Sequence, residues 1–152
     1  MSHYGVYLGA VGWVHPQWRG SFYPEDLPTD WELPFYNTQF RCVYLPPEIW
    51  RNASNEEIAR WLQETREDFR FVLQPPENPD ENIGPLAERF GERGIPAGKA
   101  DLLWLEDEPD MRHLAQHMQK AALSGSPLFL ISRDGDLTNL RQVSELMEVL
   151  GV

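Results

Sequence analysis

The feature that most constrains the fold is a repeated alternation of short apolar runs with stretches of helical spacing. Five strand-like segments follow one another, over residues 4–14, 41–45, 69–73, 101–105 and 127–132. Several of them are almost continuously apolar, as strands covered on both faces are. This alternation predicts an α/β fold, in which right-handed helical crossovers join the strands of a parallel sheet.

Helical patterns fill the intervals between these strands. The residue 54–68 segment begins with Ser54 and carries Glu57 three positions later, a capping box that marks a helix start. Further helices are predicted over residues 82–93, 110–124 and 138–150, with a shorter one over residues 30–40, which Pro34 interrupts. The chain therefore contains five β/α units in a single domain spanning residues 1–152. Two architectures fit this pattern, a truncated barrel and an open doubly wound sheet.

The composition limits which classes of binding partner and which cellular compartment we expect. The net charge of −11 argues against nucleic acid and anionic membranes, which require clustered lysine and arginine. No apolar run approaches the ~20 residues that span a bilayer, and the N-terminus lacks the features of a signal peptide. A lone Cys42 fits a reducing compartment. We therefore expect an acidic, soluble, cytoplasmic protein.

The segment over residues 9–28, GAVGWVHPQWRGSFYPEDLP, is the most distinctive motif of the sequence. It resembles the opening of the YecE-like family, known as domain of unknown function 72, in which a Gly-Trp pair ends the first strand and a W-x-G-x-F-Y-P-x-x-L loop follows. The matching positions are Gly12, Trp13, Trp18, Gly20, Phe22, Tyr23, Pro24 and Leu27. The resemblance extends over about residues 5–72.

This resemblance implies a TIM-barrel-like fold with a pocket at the carboxyl ends of the strands. The family members run well past 200 residues with eight β/α units, so the present chain is a shortened member. Several polar positions of the family are also replaced here, by Tyr44, Pro46, Gln74 and Ile131. Packing residues are retained while charged groups are lost, which favours a scaffold or an altered binding site over an enzyme.

The aromatic loop after the first strand supplies four candidate ligand-binding residues, Trp13, His15, Trp18 and Tyr23. Aromatic faces and one imidazole could stack on and hydrogen-bond a planar or sugar-like ligand. The alternative is that these rings plug the mouth of the fold or cover its first helix. His15 is the strongest polar candidate, because packing alone explains a histidine poorly at this place.

Two further candidates follow later strands. Glu106 opens an acidic cluster with Asp107, Glu108 and Asp110, which could act in acid–base chemistry, bind Mg²⁺, or cap the next helix. Arg133 could bind an anion at the end of the last strand. Asp134 and Gly135 behind it are typical of a turn.

His113 and His117 stand at i, i+4 without a third ligand nearby, so we predict neither a metal site nor a cofactor. The favoured function is a non-catalytic small-ligand-binding or protein-interaction domain. The alternative is a hydrolase or phospho-ligand enzyme that uses His15, Glu106 and Arg133. Unclosed strands leave exposed sheet edges, so we also expect a homo-oligomer, most simply a dimer.

Overall fold

The computed structural model describes residues 5–77 and 84–152. Within them, six strands form two parallel three-stranded sheets. They are β1 (Val6–Ala10), β2 (Cys42–Leu45), β3 (Arg70–Leu73), β4 (Gly94–Pro96), β5 (Asp101–Leu105) and β6 (Leu128–Ser132). The helices are α1 (Glu32–Asn37), α2 (Pro47–Trp50), α3 (Asn55–Glu64), α4 (Gly84–Ala87), α5 (Met111–Ser124) and α6 (Leu137–Leu150). The predicted α/β fold with parallel strands is thereby confirmed.

The strand order explains why both a truncated barrel and an open sheet fit the sequence pattern. One sheet has the order β1-β6-β5 and the other β2-β3-β4. They meet where β1 runs beside β2, joined by a parallel bridge between Val11 and Tyr44. The combined order β5-β6-β1-β2-β3-β4 is the cyclic order of a barrel that is open between β4 and β5. Among the described residues no closed barrel forms, in agreement with the open-sheet alternative.

The two faces of these sheets differ in what covers them. One face packs against the helices, with Ile58 and Trp61 of α3, Leu114 of α5 and Leu140 of α6 in the main core. The other, which we call the inner face, has a buried cluster made of strand residues: Tyr7, Cys42, Tyr44, Val72, Phe129 and Ile131. Because side chains alternate along a strand, this division follows directly from period-2 spacing.

Several predicted elements need correction. β4 is an additional short strand, so the described chain holds six strands and not five. The predicted helix over residues 82–93 is only in part helical: α4 is followed by a 3₁₀ segment, Glu88–Arg93, which Gly91 breaks with a φ of 62°. Its first predicted residues, Asn82 and Ile83, and Tyr4 of the first predicted strand lie outside the described residues.

Helices α1, α3, α5 and α6 agree with the sequence prediction to within a few residues, whereas the short α2 was not predicted. Ser54 caps α3, since its hydroxyl accepts from the Glu57 amide at 3.1 Å while the Glu57 carboxylate accepts from the Ser54 amide. Pro34 lies in the first turn of α1, where its missing N–H costs little. Within the described segments, no helix combines the length and apolar character needed to cross a bilayer.

Candidate functional site

Two of the predicted ligand-binding aromatics are fully buried packing residues. The Trp18 and Tyr23 side chains both have 0% exposure. The Trp18 indole donates to the carbonyl of Gly135 at 2.7 Å, and the Tyr23 hydroxyl donates to the carbonyl of Trp13 at 2.6 Å. The Trp18 bond joins the loop after β1 to the turn between β6 and α6, and the Tyr23 bond closes the loop on itself. The indole N–H of Trp18 and the hydroxyl of Tyr23 are therefore hydrogen-bonded within the protein. This is what the alternative interpretation of the loop, in which its rings serve packing, predicts.

Trp13 and His15 occupy the outer part of the same loop. The half-buried Trp13 ring meets Trp61 of α3 edge to face, with centroids 5.0 Å apart. The His15 ring lies 4.1 Å from Trp18, and its Nε2 lies 3.3 Å from the carbonyl oxygen of Gly12. Burial lowers the pKa of His15 below its ordinary value, while the hydrogen bonds to backbone and the charge of Asp134 oppose that shift. The neutral form of the imidazole is thus favoured by burial.

Arg133 lies in a different environment, at the carboxyl end of the inner face. Its guanidinium carbon lies 3.8 Å from the centroid of Trp104, a close cation–π contact. Tyr44 meets the same indole edge to face at 4.9 Å. Burial raises the pKa of Tyr44, and the positive charge of Arg133 opposes this rise. We call these three side chains the Arg133–Trp104–Tyr44 cluster.

In the acidic segment after β5, the Asp110 side chain caps α5, and the backbone of Glu106 and Asp107 contacts α6. The Asp110 carboxylate accepts from the His113 amide at 3.1 Å and caps α5, the role expected of an acidic residue before a helix. The Asn139 amide of α6 donates to the carbonyls of Asp107, at 3.0 Å, and Glu106, at 3.4 Å. The Glu106 side chain is exposed.

No metal-binding constellation is found in residues 5–77 and 84–152, where His, Cys, Asp and Glu do not gather in groups of three or more with suitable geometry. His113 and His117 face each other on α5 with ring centroids 4.4 Å apart. Two imidazoles alone leave a tetrahedral ion half-coordinated.

The six predicted ligand-binding residues thus do not form one site in the structure. Trp13, His15, Trp18 and Tyr23 pack together in the loop after β1. Arg133 and Glu106 follow neighbouring strands, with Arg133 stacked on Trp104 and Glu106 exposed at the start of the acidic turn.

Trp104 and Tyr44 were not predicted as site residues, although the sequence contained a usable signal. Trp104 and Leu102 alternate along β5, and Tyr44 and Cys42 alternate along β2, so each pair faces one side of the sheet. Each aromatic is also the last residue of its strand on the inner face. Combining this alternation with a position at the carboxyl end would have placed both beside Arg133.

Comparisons with known proteins agree with the fold. Residues 7–78 match the model of the family described as "Protein of unknown function DUF72". A crystal structure of a DUF72 family protein from Thermotoga maritima MSB8 is similar in fold, with a TM-score of 0.70 at 15% sequence identity. The similarity covers 95% of this chain and 99% of that chain. Among curated proteins, none matches the sequence significantly.

Proposed function

The chain belongs to the DUF72 family, and on that premise we propose that it is a non-catalytic domain that binds a small organic anion. The family description states no activity, so the proposal comes from the geometry of this chain. The observation that carries it is the placement of Arg133 over Trp104 at the carboxyl end of the inner face. Ligands of parallel α/β folds bind at this end of the strands.

The Arg133 guanidinium is suited to receive an anion. Its guanidinium carbon lies 3.8 Å from the centroid of the Trp104 ring, and this contact limits the number of rotamers that Arg133 can adopt. A cation–π contact does not require a hydrogen bond from the guanidinium, so its N–H groups stay available for two parallel hydrogen bonds to a carboxylate or phosphate. Within the described part of the chain, no hydrogen bond or ion pair from another side chain occupies those groups. Arg133 itself is exposed and accessible to a ligand.

The absence of catalytic groups among the described residues of the inner face supports binding without chemistry. Its buried positions are apolar or aromatic, including Ile131 and Tyr44, which replace polar residues of the family pattern. His15, the best acid–base candidate, is stacked on Trp18 and hydrogen-bonded near Gly12 instead. An anion at Arg133 would therefore meet aromatic edges and aliphatic groups, which favours a ligand with an apolar or planar body.

Thermal denaturation with defined probes tests this proposal. Benzoate and inorganic phosphate represent the two anion types, and benzamide is the neutral counterpart of benzoate. We expect millimolar benzoate to raise the melting temperature of the wild-type protein by a few degrees, by mass action, and benzamide to have little effect. The Arg133→Gln variant should show a smaller benzoate shift than the wild type.

Arg112→Gln is the matched control, because Arg112 is an exposed arginine on α5 that has no part in the cluster. It should keep the full response to benzoate. A benzoate shift of equal size in wild type and Arg133→Gln, or no shift with either anion in the wild type, would contradict the proposal.

A further inference from the structure

A groove separate from the inner face runs between the loop after β1, α1 and the first half of α6. It encloses about 300 Å³, the lower end of the range typical of small-molecule sites. Its lining combines apolar rings with a few polar side chains: Ser21, Phe22, Phe35, Gln39, Phe40, Leu137, Leu140, Arg141 and Ser144. None of these residues belongs to the Arg133–Trp104–Tyr44 cluster.

The apolar wall of this groove is held in place by ring packing. Phe22 meets Phe35 edge to face at 5.3 Å and lies 5.5 Å from Phe40. Behind it, Phe22 contacts the buried Trp18 at 5.2 Å. The wall therefore rests on the same aromatic network that anchors the loop, so its shape is preformed and a ligand would pay little ordering cost.

Arg141 gives the groove a positive charge, which a packing defect between apolar side chains would lack. Its side chain is exposed on α6, and neither a hydrogen bond nor an ion pair with another described residue involves it. Its guanidinium therefore supplies a positive charge beside the apolar wall of the groove, in a chain whose net charge is −11. Ser21, Gln39 and Ser144 add neutral hydrogen-bonding groups around it.

We propose that this groove binds an amphipathic monoanion, with an apolar or aromatic body against the phenylalanine wall and a carboxylate or sulfonate at Arg141. Phe22 and Phe40 would contact the body of the ligand. The site stands independently of the proposed function, because it uses a different arginine on a different face of the sheet.

Two fluorescent dyes test separately the apolar contact with the phenylalanine wall and the charge contact with Arg141. 8-Anilinonaphthalene-1-sulfonate carries an aromatic body and one negative charge, while N-phenyl-1-naphthylamine carries a similar body without the charge. We expect Arg141→Gln to weaken binding of the sulfonate dye about three- to fivefold, the upper part of the range for an exposed ion pair, and to leave binding of the neutral dye unchanged. Ser144→Trp, which fills the groove, should weaken both dyes at least tenfold.

Arg112→Gln is the control for charge removed elsewhere and should bind the sulfonate dye as the wild type does, whereas Arg133→Gln should keep the part of the dye binding that Arg141→Gln weakens. Near-ultraviolet circular dichroism of each variant verifies native packing, since both dyes also bind loosely packed chains. If Arg141→Gln leaves the sulfonate dye unaffected, or weakens both dyes equally, the proposal is overturned. A loss confined to Arg133→Gln would overturn it as well and would assign the dye to the other site.

Discussion

Gly9 lies where β1 of one three-stranded sheet approaches β2 of the other closely. A β-carbon at this position would lie 2.1 Å from the carbonyl oxygen of Cys42 and 2.8 Å from the hydroxyl of Tyr36. That hydroxyl bridges the two strands, since it accepts from the Ala10 amide at 2.8 Å and donates to the Cys42 carbonyl at 2.6 Å. A side chain at Gly9 would separate β1 from β2 and disrupt this bridge.

We therefore predict that Gly9→Ala lowers the free energy of unfolding by about 3 kcal/mol, at the upper end of typical overpacking costs. The clash involves backbone, which cannot move aside as a flexible side chain can. Urea denaturation followed by tryptophan fluorescence measures the change. Gly98→Ala is the matched control, because a β-carbon added there would have no described atom within 4 Å, and it should change stability by less than about 0.5 kcal/mol. Equal stability of the two variants would contradict the close approach.

At the residue scale, local signals were predictable and contacts between distant segments were not. The capping box of α3 involves Ser54 and Glu57, three positions apart, and the sequence predicted it correctly. The restriction at Gly9 arises from Tyr36 and Cys42, which reach it only after folding. A glycine in a strand pattern could equally have marked a bulge or a bend.

At the scale of elements, the loop after β1 illustrates the limit of pattern reasoning. The sequence singles out its aromatic residues, but a loop has no periodicity that would tell which rings point inward. In the structure Trp18 and Tyr23 are buried, and Phe22 is the ring that reaches a groove. The short β4 was missed for a related reason, since its three residues include a glycine and a proline.

Because His15 belongs to this loop, the loop should respond to pH. Burial lowers the pKa of His15 below 6.5 in the folded chain, so the unfolded chain binds the proton more readily. The stability that the neutral ring provides is complete above about pH 6.5. It is lost progressively as the pH falls through that value towards the lower pKa of the folded state.

We predict a smaller loss of unfolding free energy between about pH 7.5 and pH 5.5 for His15→Gln than for the wild type. Chemical denaturation at several pH values measures both slopes, and subtracting one from the other cancels the contribution of the carboxylates that both proteins share. Identical slopes would show that the ring stays accessible to protons in the folded chain.

At the scale of the whole molecule, the strand order places β4 and β5 at the two outer edges. β5 pairs with β6 on one side, and within the described residues its other side has no strand partner. Leu102, Leu103, Trp104 and Leu105 are all half-exposed along this edge. The sequence indicated alternating β/α units and hence parallel strands. The gap between β4 and β5 depends on which strands pair, and no local sequence pattern specifies strand pairing.

We propose that a second copy of the chain covers this edge, giving a homodimer. Sedimentation velocity at about 100 μM should then yield twice the 17.6 kDa of the chain. Leu103→Lys places a charge on the β5 edge and should shift the population to monomer. Leu123→Lys, which alters an exposed leucine on α5, should leave the dimer intact. A wild-type protein that sediments as a monomer at this concentration would contradict the proposal.

The pairing of β1 with β6 also determines the order in which the chain can fold. Val6 lies opposite Leu128 and Ala10 opposite Ser132, so this ladder joins strands from distant parts of the chain. On the ribosome, β2, β3 and β4 emerge close together and can pair early, whereas the ladder between β1 and β6 cannot form until β6 has been synthesised. During that interval the apolar residues of β1 are exposed, and β1 is therefore the segment that a chaperone would bind.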